Sequence, residues 1–196
     1  MGLTKIPYHI ISDVKFDLSR KARLVAGGHK HKEVPAHSSY ASVVSRCSVS
    51  VIYILAVLDD LNILAGDIGN TYLNALFKEN VHAILRNDLF GPEHEIKRAI
   101  IVRVLYGIQS TGNAWREYIS TQIRDTLGYK PCKTDPKEYM KTKKMKDGTT
   151  YYSYIVVYVD DILCICQKPK EIMDQIGEIY LMKDRSIDTH SKITLV

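Results

Sequence analysis

VVYVDDILCI, residues 156 to 165, is an apolar, β-rich run broken at its centre by two adjacent aspartates, Asp160 and Asp161. The apolar stretches on either side, residues 151 to 158 and 162 to 166, have the length and composition of strands, so the acids sit at the tip of a hairpin. Neighbouring carboxylates repel, and beside buried strands each opposes the other's ionisation unless a cation neutralises them. A divalent ion meets that need, and a ligand set made only of oxygens selects Mg²⁺ or Mn²⁺. A solvated β-turn is the other reading, because Asp is a good turn residue in its own right. Spacing alone leaves both open.

Working outward, a metal needs ligands from more than one segment, and Asp67 is the natural third. It closes the short apolar strand NILAGDI, residues 62 to 68, where a side chain can enter a cleft. Two strands can then present acids to one point. Asp59 and Asp60 form another acidic pair, but they lie within a helical pattern, where successive side chains point about 100° apart, and so read as the polar edge of a helix. That helix, residues 45 to 61, has apolar residues over most of its wheel and is expected to be largely buried. Upstream, residues 7 to 15 and 22 to 27 alternate around a basic cluster (Arg20, Lys21, Arg23) and predict a β-hairpin with a basic edge. The polar residues 29 to 40 predict a loop. Residues 80 to 86 and 99 to 105 predict strands, and residues 110 to 127 an amphipathic helix. Residues 141 to 149, with four lysines and a DG turn signal, predict an exposed basic hairpin loop, residues 168 to 181 a last helix, and the final fifteen residues little periodicity. Helices packed on one face of an antiparallel sheet make an α+β fold.

The whole chain has 196 residues, 45% of them hydrophobic, enough for one substantial core, and 27 Lys+Arg against 22 Asp+Glu give a net charge of +5 that favours an anionic partner. Cys47, Cys132, Cys164 and Cys166 contain no C-x-x-C pair, and the last two alternate within an apolar strand, which points to buried thiols in a reducing compartment. No signal-peptide core and no run of about 18 apolar residues is present, so a soluble, intracellular protein without a membrane partner is expected. Met1-Gly2 is no myristoylation site, because Ile6 stands where Ser or Thr is wanted. His29, His31 and His37 have no cysteine near them and read as loop histidines.

Five strings occur in an order and spacing that resemble copia-type retrotransposon reverse transcriptases: RKARLVAGG (residues 20 to 28), YASVVSR (40 to 46), LAGDIGNTYLN (64 to 74), LYGIQSTGNAW (105 to 115) and YVDD (158 to 161). The resemblance covers roughly residues 8 to 185. It implies a fingers-palm fragment: a partial fingers hairpin and loop in residues 1 to 40, a palm with the remaining fingers elements in 41 to 185, and a truncated tail in 186 to 196. It implies that Asp67, Asp160 and Asp161 are catalytic and hold two Mg²⁺ (or Mn²⁺) ions about 4 Å apart. It implies that Lys21 and Arg23 hold the triphosphate of a deoxynucleotide, and that Tyr72 lies under the sugar and excludes a 2′-hydroxyl. The partners implied are an RNA or DNA template with its primer, deoxynucleoside triphosphates, and the rest of a polyprotein (thumb, RNase H and integrase), in a cytoplasmic particle or the nucleus.

The sequence departs from the family pattern in two places. Gln109 to Asn113 read QSTGN where members often have K-Q-A-P-R, so a glutamine contact to the nucleotide is not assigned, and Gly27 to His29 replace an R-G that supplies a cation. The family's thumb should follow the last helix and is read as missing from this sequence, as are the integrase and RNase H regions. A decayed relic that binds nucleic acid without catalysis, and another metal-dependent phosphotransferase or cyclase on a similar sheet, are the rival readings. Tyr72 and the ordered LYG and YVDD strings argue against the latter.

Overall fold

The computed structural model describes residues 3 to 28 and 43 to 188. Along the chain run β1 (Thr4–Lys5), β2 (Tyr8–Val14), β3 (Arg20–Ala26), α1 (Arg46–Leu58), β4 (Asn62–Ile68), a 3₁₀ turn (Thr71–Asn74), β5 (Val81–Ile84), α2 (Asn87–Phe90) and β6 (Arg98–Ile100). Then follow α3 (Thr111–Thr121) with a π-turn (Gln122–Thr126), β7 (Lys130–Pro131), β8 (Glu138–Lys144), β9 (Thr150–Tyr158), β10 (Asp161–Cys166), α4 (Pro169–Ile179) and β11 (Met182–Asp188). The fold is thus a mixture of helix and mainly antiparallel sheet, as the α+β expectation had it. The loop expected at residues 29 to 40, its three histidines, the boundary at 40/41 and the last residues of the tail lie outside the described residues. No helix among the described residues is long and apolar enough to cross a membrane.

The chain divides into two compact units, each built from separated segments: Met1–Ala41 with Tyr72–Tyr118, and Ser42–Thr71 with Ile119–Val196. In the first, β2 and β3 pair antiparallel from Tyr8↔Ala26 to Val14↔Arg20, the hairpin expected from their alternation. A core of Ile6, Tyr8, Ala26, Val81, Ala83, Ile101 and Ile108 takes in the open end of the hairpin, while the rest of β2 is exposed. The strand expected over residues 99 to 105 is shorter, for only Arg98–Ile100 ladder with β5, and the chain beyond holds isolated bridges, Leu76↔Arg103 and Val25↔Tyr106.

The second unit is a six-stranded antiparallel sheet in the order β11-β4-β10-β9-β8-β7. Its centre is dry. Ile155, Cys164, Ile165 and Cys166 are fully buried, each large aliphatic contributing about 1.5–3 kcal/mol by leaving water. Burial pushes the Cys164 thiol far above its usual range, and the cysteines of the described residues are unbridged. The helix α4 packs Ile172, Met173 and Ile176 against this sheet. Gly66 marks where it comes closest, since a Cβ there would lie 2.8 Å from the Met173 sulfur.

Three expectations need correction. First, α1 is not largely buried: Ile52 and Ala56 are, whereas Val51, Ile54 and Leu58 are about half exposed or more. The wheel is apolar almost all round, but a helix lying on a sheet can bury only the stripe it presents. Second, residues 141 to 144 are strand, not loop, because Lys141↔Ser153 through Lys144↔Thr150 extend the ladder with β9 and leave only the turn around Asp147 and Gly148. Third, residues 182 to 188 form β11, although their sequence shows no alternation. Pairing with β4 creates this strand.

Candidate functional site

The acidic tip is built by register. In the β4–β10 ladder Asp67 and Asp161 are direct partners, and in the β9–β10 hairpin Asp161 faces Tyr158, leaving Val159 and Asp160 as the turn. The Ile68 N–H donates to the Asp160 carbonyl at 2.8 Å, which ties the turn to the end of β4. Val159 has φ +57°, a conformation that a β-branched residue rarely takes and that costs on the order of 1–3 kcal/mol. The ladders on both sides hold it there, so the position of the two acids is bought with local strain.

Strand alternation also decides which face the acids use. Gly66 faces α4, so Asp67 and Ala65 face the other way. On that side the sheet and α1 enclose an apolar groove of about 470 Å³, lined among others by Val49, Tyr53, Ala65, Val156 and Leu163 and reaching Asp161. The Asp161 carboxyl is raised above the ordinary aspartate range, first by partial burial, then by the negative charges of Asp160 and Asp67; Lys183 opposes the shift. The three acids named from sequence are therefore electrostatic neighbours within one unit.

Lys183 was not named from sequence. It stands on β11 as the Cα partner of Asp67, with its ammonium 2.5 Å from Asp67 Oδ1 and 3.8 Å from Asp160 Oδ2. No sequence signal marks it, since its role depends on a strand formed only by tertiary pairing. Among the described residues, no group of three or more His, Cys, Asp and Glu side chains is gathered tightly enough to hold a metal ion as it stands. The donor chemistry suits a hard divalent cation all the same: the candidate ligands are carboxylates, the negative charges of Asp160 and Asp67 bear on Asp161, and the Lys183 ammonium already lies against two of the three.

The other three predicted residues lie in the first unit. Lys21 and Arg23, two apart on β3, share a strand face. The Arg23 guanidinium sits over the Tyr106 ring at 5.9 Å from its centroid, and Tyr106 meets Tyr72 edge to face at 5.0 Å. Tyr106, another residue that sequence reading did not single out, thus joins Arg23 to Tyr72. It is fixed by its own backbone: its carbonyl accepts from Ala26 N at 2.7 Å. The next residue, Gly107, takes φ +87° flush against the Ala26 carbonyl. The LYG string is therefore the turn that docks onto the end of β3.

Over residues 3 to 186 the chain matches the family model described as reverse transcriptase (RNA-dependent DNA polymerase). A search among curated proteins returned no match.

Proposed function

Because the chain belongs to the reverse transcriptase family found in copia-type retrotransposons, we propose that it catalyses template-directed addition of deoxynucleotides to a primer 3′-hydroxyl, with Asp67, Asp160 and Asp161 as metal ligands. The observation that carries this reading is the register that sets Asp67 opposite Asp161 with Asp160 at the adjoining turn. In this reading the six-stranded sheet with α1 and α4 is the palm, and the β2–β3 hairpin belongs to the fingers. The template is RNA or DNA, and the remaining polyprotein parts are partners.

The reaction is an in-line displacement: the primer 3′-hydroxyl gives up its proton to solvent as its oxygen bonds to the α-phosphorus, the bond from that phosphorus to the bridging oxygen breaks, and pyrophosphate leaves with the electron pair. Bound by the three carboxylates, two Mg²⁺ or Mn²⁺ ions would activate the 3′-hydroxyl and neutralise the leaving group. The chain's own part is to hold charge and position. The acids are fixed to adjoining strand ends, which limits how far they can drift. Arg23, with its planar fork, and Lys21, with a compact charge, suit a triphosphate. The Tyr106 ring restrains the guanidinium, and the same ring braces Tyr72 as a wall for the sugar.

The test is extension of a labelled primer on RNA and DNA homopolymers with Mg²⁺ or Mn²⁺. Incorporation that follows the template and stops on chelation is expected. Binding of primer-template that weakens steeply with salt, with no incorporation under any metal, would favour the relic reading instead. In an extending chain, Tyr72→Val should raise ribonucleotide use relative to deoxynucleotide use by about tenfold or more, because the ring no longer meets the 2′-hydroxyl. An unchanged ratio would leave Tyr72 as a packing residue only.

A further inference from the structure

Resting on the metal-site reading above, we propose that Lys183 is the resident counter-ion of the carboxylate site, which holds Asp67 and Asp160 together before metal arrives and must move aside when a divalent cation binds. The geometry sets the two cations in competition. The ammonium is 2.5 Å from an Asp67 oxygen and 3.8 Å from an Asp160 oxygen, and a Mg²⁺ ion ligated by the same Asp67 oxygen would stand about 2.1 Å from it. Two cations held by one carboxylate repel each other, so each weakens the hold on the other.

The structure also supplies a reason for a lysine to be there. Acids on adjoining strand ends repel, and a single positive charge lets the β4 end and the Asp160 turn close up without metal. The side chain is suited to leaving again. It is a compact ammonium on a four-carbon stem, its side chain is 42% exposed, and rotation about the stem carries the charge into water. Its backbone stays in place, because Met182 and Lys183 pair with Ile68 and Asp67 ahead of an irregularity in the ladder. The site would then exchange one cation for another, with affinity for the first metal ion lowered by the lysine it displaces.

Two measurements on the full chain test this without using polymerisation. Mn²⁺ binding, followed by the electron paramagnetic resonance of the free ion, should tighten on the order of tenfold in Lys183→Met, which keeps the stem and removes the charge. It should stay near wild type in Lys183→Arg and be lost in Asp67→Asn. In the wild-type chain, the rate at which Lys183 is acetylated by an amine-reactive reagent, read by peptide mass spectrometry, should rise several-fold on saturation with Mn²⁺, while lysines of β8 stay constant. Equal Mn²⁺ affinity in wild type and Lys183→Met, or labelling of Lys183 indifferent to Mn²⁺, overturns the counter-ion role and leaves the metal site standing. Mn²⁺ bound by neither chain, or bound equally by Asp67→Asn, removes the metal-site reading and this inference with it.

Discussion

Asp160→Asn is expected to cut primer extension at least about a hundredfold in a chain that extends primers, while the fold survives. The substitution keeps size and shape, and the Asp160 backbone carbonyl goes on accepting from Ile68, so the turn is preserved. What is lost is one negative charge facing Lys183 and the proposed metals. The side chain is 46% exposed, so its ion pair with Lys183 contributes little to stability, well under 1 kcal/mol. Single-turnover extension together with a urea denaturation curve separates the two effects. Retention of more than about a tenth of the rate, equivalent to less than 1.4 kcal/mol of barrier, would exclude direct ligation by Asp160.

Gly107→Ala should have the largest effect on stability, on the order of 3 kcal/mol or more. With φ at +87°, any L side chain is strained there. The new Cβ would also press into the Ala26 carbonyl oxygen and the Val25 side chain, and the first of these is backbone that cannot rotate away. The turn would have to lift off the end of β3, breaking the bond from Ala26 N to the Tyr106 carbonyl. Tyr106 would no longer hold Arg23, and if Arg23 binds the triphosphate as proposed, nucleotide binding should fall along with stability. A urea midpoint within about 0.5 kcal/mol of wild type would mean that the turn and β3 are not pressed together as described.

Much of the carboxylate site was legible because its residues break a rule. Acids interrupting apolar strands at 67 and 160–161 stand out against strong β periodicity, and β4 runs over the very residues read as a strand, 62 to 68. The β2–β3 hairpin was legible for the same reason. What could not be read was whatever depends on a partner. The β11 strand, MKDRSID, is polar and unpatterned, and becomes a strand because β4 offers it an edge. The lysines of β8 look like a solvated loop until Thr150–Tyr158 lies beside them. The sequence of α1 states that its residues are apolar, yet not which of them meet the sheet. Lys183 and Tyr106 were missed on the same account, for Lys183 works through Asp67, 116 positions away, and Tyr106 through Arg23 and Tyr72, each in a distant segment.

The interleaving of the two units has a kinetic consequence. Each unit needs a segment from both sides of the other, since the chain passes between them near residues 41, 71 and 118. The N-terminal hairpin therefore cannot complete its core until Val81 and Ile108 have been made, and β4 waits for β10, about a hundred residues later. Such long loops must close before their contacts reward them, which places the molecule among slow folders. During synthesis β4, with Ile63, Leu64 and Ile68, emerges from the ribosome with both of its edges unpaired, and that is the interval in which this chain is most exposed to aggregation.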